Sequence, residues 1–135
     1  MKRKHLLTLV FISMLAACTK DNTEVTPTDK RDKFVGNWLC NEGSGTPFTI
    51  VISKSGSNDL NIKNFSNYGD HGNAKCEMSG DNTFVISAQD FNDLPNVEDT
   101  VSAGFGTYSK TGTQEKIKMG YKVNGVDYNN VTCTK

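Results

Sequence analysis

Lys116-Ile117-Lys118-Met119-Gly120-Tyr121-Lys122-Val123-Asn124-Gly125-Val126-Asp127-Tyr128 is the stretch that decides the fold. Ile117, Met119, Tyr121 and Val123 alternate with Lys116, Lys118 and Lys122, which is the period of a strand with one buried and one wet face. Asn124-Gly125 then supplies positive φ at two successive positions at least cost, so a two-residue type I′ turn leads into the next strand. Pairing across that turn sets Val126 opposite Val123 and Tyr128 opposite Tyr121, all inward. Strict alternation would then turn Val131 and Cys133 outward. A one-residue β-bulge at Asn129-Asn130 returns them to the inner face.

The same pattern extends back through residues 34–135. All 12 glycines of the protein and 13 asparagines lie there with only three leucines and three alanines. No stretch repeats apolar residues at the helical period. Strands are expected at 34–41, 48–54, 59–65, 73–79, 83–88, 101–109, 115–123 and 126–134, separated by turn signals such as Ser55-Gly56 and Gly80-Asp81-Asn82. Their apolar face runs through Trp38 and Cys40, then Phe48, Ile50 and Ile52, then Leu60 and Ile62. It continues through Ala74, Cys76 and Met78, then Phe84 and Ile86, then Ala103 and Phe105. Gly104, Gly106 and Gly120 fall on the outer face, where they ease tight coiling. The fold class is all-β: an eight-stranded antiparallel up-and-down meander that closes into a barrel and so removes its own edges.

Upstream, Lys2, Arg3 and Lys4 precede an apolar run over 6–15 and the small-residue sequence Leu15-Ala16-Ala17 before Cys18. This is the order of a secretory signal. A helix over 6–17 would rise only about 18 Å, well short of a hydrocarbon core of about 30 Å, so it is not a permanent span. Removing residues 1–17 leaves 12 basic groups against 15 acidic ones, a net charge of −3. That surface offers no clustered basic footprint for nucleic acid. Residues 18–33 are expected to form a flexible tether, being poor in apolar residues and mixed in charge. Residues 34–135 are the size of one domain.

Catalytic and metal signatures are missing from the pattern. His71 is the only histidine of the mature chain and sits in an Asp70-His71-Gly72 turn, with no G-x-S-x-G elbow anywhere. Cys40, Cys76 and Cys133 lack the close spacing of zinc ligands. The acidic stretch over 90–99 lacks the glycine and terminal glutamate of an EF-hand loop and reads as a solvated loop across the barrel mouth. The expectation is a protein without cofactor or metal, and not an enzyme. First and last strands are neighbours in a closed meander, and an exported domain meets an oxidising compartment. A Cys40–Cys133 disulfide with Cys76 free is therefore expected, the alternative being three free core thiols.

The Leu15-Ala16-Ala17-Cys18 box resembles a bacterial lipoprotein signal. In that family the cysteine matching Cys18 carries a diacylglycerol and an acylated amino group, which implies an outer-membrane location in the cell envelope, facing either the periplasm or, surface-exposed, the outside. Gly36-Asn37-Trp38 is similar to the G-x-W start of lipocalin and avidin barrels, whose Trp packs across the closed end. Residues 33–38, 48–56, 106–109 and 131–135 together resemble small lipocalin-like lipoproteins of the Bacteroidota, a calycin-type barrel. A barrel of this size is either filled by its own side chains or holds one small ligand. The first reading is a pocket for a small apolar ligand, with Phe105, Tyr121 and Tyr128 toward the mouth and Trp38 as the floor. The alternative is a filled barrel that meets a protein or glycan from outside, for instance as a protease inhibitor.

Overall fold

The structure is a computed structural model that describes residues 28–43 and 45–135. Nine strands follow in chain order: β1 (Gly36–Asn41), β2 (Phe48–Ser55), β3 (Asp59–Lys63), β4 (Asn73–Met78), β5 (Thr83–Ile86), β6 (Gln89–Asp90), β7 (Thr100–Thr111), β8 (Gln114–Val123) and β9 (Val126–Thr134). Their order in the sheet is β5-β4-β3-β2-β1-β9-β8-β7-β6, and β5 also pairs with β7, which closes the ring. Ile86 pairs with Gly104 and Gln89 with Val101, so β5 and β6 lie end to end along β7 as one interrupted strand. The result is an eight-stranded antiparallel closed barrel, compatible with a calycin-like architecture. Where the interruption draws away from β4, the Gln89 side chain fills the gap. Its Oε1 accepts from Lys75 N–H and its Nε2 donates to Lys75 C=O, each at 2.8 Å.

Two details set the closure. Met119 pairs with Val131 but Tyr121 pairs with Tyr128, so Asn129 and Asn130 together stand opposite Gly120. This is the expected bulge, and Val131 and Cys133 are buried because of it. Asn124 (φ 50°) and Gly125 (φ 83°) make the tight turn between β8 and β9. Cys40 and Cys133 are direct partners between β1 and β9, with Cα atoms 3.9 Å apart, and they form a disulfide. Cys76 is free and buried. Burial in apolar surroundings pushes its thiol up to about 12.

Aromatic side chains close both ends. At the end where the chain enters, Trp38 is fully buried and its Nε1–H donates to Phe34 C=O at 2.7 Å. Phe34 packs edge-on against Phe84 at 5.5 Å and Tyr108 at 5.7 Å, and the Lys135 ammonium lies 5.4 Å from the Trp38 ring. At the other end Phe65 meets Phe91 at 5.2 Å and Tyr121 at 4.6 Å. Phe65 and Phe91 come from the long connections, 64–72 and 91–99, rather than from strands.

The expected tether boundary moves toward the N-terminus. Residues 28–33 belong with the barrel instead of continuing as a flexible segment, because Arg31 ties them down. Its guanidinium donates to the backbone carbonyls of Ser55, Gly56 and Asp59 and grips the Asp29 carboxylate at 2.7 Å. Lys54 pairs with Asp29 at 3.0 Å and with Asp32. The Arg31 hydrogen bonds hold the Asp29 carboxyl well below its usual range. Composition marks this stretch as polar, and its partners are distant in sequence. The signal segment 1–17 and Cys18 lie outside the described residues.

Truncating Trp38 to Ala removes a wholly buried indole and one buried hydrogen bond. It should destabilise the fold by about 3 to 5 kcal/mol in denaturant titration, and wild-type emission should be blue-shifted. A water-like emission maximum in the folded protein would contradict this placement. The double change Cys40→Ala, Cys133→Ala opens a loop of sequence separation 93. The expected loss is about 2 to 5 kcal/mol. Without reductant, Cys76 should resist alkylation at pH 8 until the chain unfolds, since both its burial and its protonation protect it.

Candidate binding site on the outer face

The four residues expected to line an interior pocket divide three ways. Trp38 is the floor of the closed end, but the Tyr108 ring packs edge-on against it at 6.3 Å. Tyr121 and Tyr128 are at the opposite end, stacked at 5.2 Å, and they are part of a plug instead of an open mouth. Tyr121 is buried and its hydroxyl donates to Glu42 Oε1 at 2.5 Å; burial first, and that carboxylate second, push its phenol far up. Phe105 points the other way. It is 55% exposed on the outside of the barrel.

The reversal at Phe105 corrects the expected phase of β7. A register shift between Val101 and Ala103 turns Val101 inward, leaves Ala103 exposed, and directs Gly104 and Gly106 to the interior. The cause is volume. A Cβ on Gly106 would lie 2.1 Å from Phe84 Cζ, and one on Gly104 would lie 2.9 Å from Tyr121 Cβ. These glycines make room for the large side chains of β5 and β8, and a phenylalanine cannot share that layer. Only Gly120 keeps its expected outer position. Its face is covered by the Phe105 ring, with Cε1 and Cζ each 2.9 Å from where a Cβ would be. Val126 pairs with Val123 as expected, yet at the rim of the barrel it is 56% exposed.

The connections over the plugged end are held by hydrogen bonds. Asp99 accepts from Asn92 Nδ2 at 2.6 Å, Asn124 Nδ2 at 2.5 Å and the Tyr68 hydroxyl at 3.3 Å, and the two amides draw its carboxyl below the usual range. The 91–99 loop crosses the mouth as expected, but it also buries Phe91. His71 Nδ1 lies 2.8 Å from Asp93 Oδ1, both groups exposed. Among the described residues no three His, Cys, Asp or Glu side chains converge as metal ligands.

The clefts are on the outside. One of about 440 Å3 lies over β7 and β8 beside Phe105 and Gly120, and reaches Asp127 and Asn129 of β9. A second, about 450 Å3, begins at the same Asp127 and Asn129 and continues past Asn130. A third, about 400 Å3, shares Asn130 and runs between Thr132 and Thr134 on one side and Leu39 and Pro47 on the other. Together they follow β9 across the outer sheet. The bulge puts two adjacent amides in the middle of this path. Sequence reasoning foresaw the bulge but not that its asparagines line a groove; two consecutive polar residues interrupting the alternation were the available signal.

No family model, curated protein or solved structure matches the chain.

Gly106→Ala tests the filled interior. Phe84 is held between Phe34 and β7, so its ring has little freedom to retreat from the new methyl. A loss of about 1 to 3 kcal/mol is expected from overpacking. A neutral or stabilising result in chemical denaturation would mean that space exists beside Phe84.

Proposed function

We propose that this chain is a lipid-anchored lipoprotein of the bacterial cell envelope, of the small lipocalin-like kind found in the Bacteroidota. In this reading its barrel is a binding module that works through its outer face. The single observation that carries the second part is the exchange on β7. Glycines face a core packed with Phe84, Ile86 and Tyr121, while Phe105 stands outside beside a cleft. Aromatic plugs at both ends support the same reading, because a small apolar ligand would need the layer those rings occupy. The protein is then a binding protein and not an enzyme, without cofactor, metal or nucleic-acid partner. Of the two readings of the sequence, this favours the filled barrel.

The anchoring rests on residues 1–18. Two or three acyl chains, at about 0.8 kcal/mol per buried methylene, hold a protein to a membrane effectively permanently, whereas one chain is reversible. From Cys18 to Thr28 the chain spans at most about 35 Å when extended. Arg31 fixes the entry point beside the turn between β2 and β3. The plugged end with Phe65 and Phe91 is then the one directed away from the bilayer, and the β9 groove runs along the side.

Metabolic labelling with a fatty-acid analogue should tag the wild-type protein, and Cys18→Ser should abolish the tag. Undiminished label in the mutant would remove the anchor. Native mass spectrometry of the mature protein from its own host should give the mass of the acylated chain with no retained small apolar molecule. A stoichiometric apolar adduct would restore the interior-pocket reading.

A further inference from the structure

We propose that the groove along β9 binds a neutral oligosaccharide, with one sugar ring stacked on Phe105 and further hydroxyls held by Asn129 and Asn130. This rests on the reading above that the barrel binds through its outside, and adds the chemical class of the ligand. The aromatic platform comes first. Phe105 lies over Gly120, where the missing side chain lets the ring settle against the backbone of β8. A ring fixed in that way leaves solvent-exposed surface on a rigid support. The C–H groups on one face of a pyranose carry slight positive polarisation and meet the electron-rich face of an aromatic ring.

The polar lining selects among ligands. Asn129 and Asn130 are both exposed because the bulge leaves neither paired inward. Each amide offers both donors and an acceptor, which matches a hydroxyl, itself both donor and acceptor. Of the charges that line the clefts, Lys122 pairs with Asp127 at 3.3 Å, and Glu42, which accepts from the Tyr121 hydroxyl, remains an anion. An anionic ligand therefore finds no free cation in the lining and meets the Glu42 carboxylate, while a neutral one meets amides and hydroxyls.

Other ligand classes fit less well. An extended peptide could add only to the edge of β9 over 126–131 that β1 leaves unpaired, and there it would lie on the far side of β9 from Phe105 and leave that ring uncovered. A lipid or other apolar molecule would cover Asn129 and Asn130 and leave their amides without partners. The three clefts adjoin through Asp127, Asn129 and Asn130, so the groove suits a chain of sugars more than a single one. Leu39 and Pro47 border its far end.

Affinity electrophoresis tests this with the full chain in detergent, run through gels containing soluble starch, mannan, xylan, laminarin or dextran. Polygalacturonate serves as the acidic contrast. At least one neutral polysaccharide should retard the wild type. Phe105→Ala should weaken that retardation at least tenfold, Asn130→Ala should weaken it severalfold, and Lys63→Ala, an exposed change on β3, should leave it unchanged. Thermal melting of each variant separates lost binding from lost fold. Retardation by polygalacturonate alone, no retardation in any gel, or full retardation of a folded Phe105→Ala protein would each overturn the proposal. A photo-cross-linker at position 105 tells this failure from that of the wider reading. Cross-linking to a protein without any polysaccharide retardation would sink the sugar and keep the outer face. An apolar adduct in native mass spectrometry would sink both.

Discussion

Asn129 and Asn130 of β9 stand opposite the single residue Gly120 of β8, and the closed barrel depends on that mismatch. Side chains alternate along a strand, so one extra residue reverses the face of everything that follows. Without it, pairing Tyr128 with Tyr121 would leave Val131 and Cys133 in solvent. Cys133 would then point away from Cys40, and the join between β1 and β9 would lose both its apolar layer and its disulfide. The reversal has an outer consequence too. Two amides that would otherwise fall on opposite faces are both exposed, next to one another, at the meeting point of the three clefts. The same irregularity closes the inside and furnishes the outside.

A second phase change, on β7, fixes what the barrel contains. An eight-stranded ring is just wide enough for its own side chains or for one small ligand. Phe84, Ile86 and Tyr121 occupy one region of it, and their cross-strand neighbours on β7 must then be glycines. Hydrophobicity alone would send Phe105 inward, but packing density decides against it, since overfilling a core costs as much as leaving a hole. Outside, the ring is not wasted. It covers the backbone at Gly120, the one place on β8 where no side chain keeps it away. The two shifts lie on either side of β8, so this strand is flanked by the irregular parts of both its neighbours.

Much of this was legible in the residues. Alternation located all eight strands, Asn124-Gly125 gave the register of the last hairpin, and that register in turn demanded the bulge and put Cys133 on the same face as Cys40. The phase of β7 was not legible because its signals conflict. Val101, Ala103 and Phe105 argue for one phase and Tyr108 for the other, and only the volume of Phe84 and Tyr121 settles the matter. Phe65 and Phe91 were missed as plugs because they sit in connections, where no periodicity exists to read. Arg31 was assigned to the tether for a similar reason: its partners Ser55, Gly56 and Asp59 are remote in sequence, and composition carries no trace of them. The groove is a product of three strands and two irregularities, so single-strand patterns show its residues without showing that they meet.

A filled barrel is a sound support for a shallow site. Strand β8 is hydrogen-bonded along β9, β1 joins it at 132–134, and all three pack on an apolar core, so binding there orders little backbone and the entropy cost of recognition falls mainly on ligand and side chains. A shallow groove still buries little of its ligand. One aromatic stack and a few amide hydrogen bonds, each contributing about 1 kcal/mol after exchange with water, give a single-site affinity nearer millimolar than nanomolar. The proposed lipid anchor would change that arithmetic. Many copies held on one membrane within about 35 Å of the bilayer would meet a repeating polysaccharide at several points, and linkage of weak sites raises avidity by about 10² to 10⁴ without any new contact. In that arrangement weak individual binding is an advantage, because each contact can be released and remade while the polymer stays at the surface.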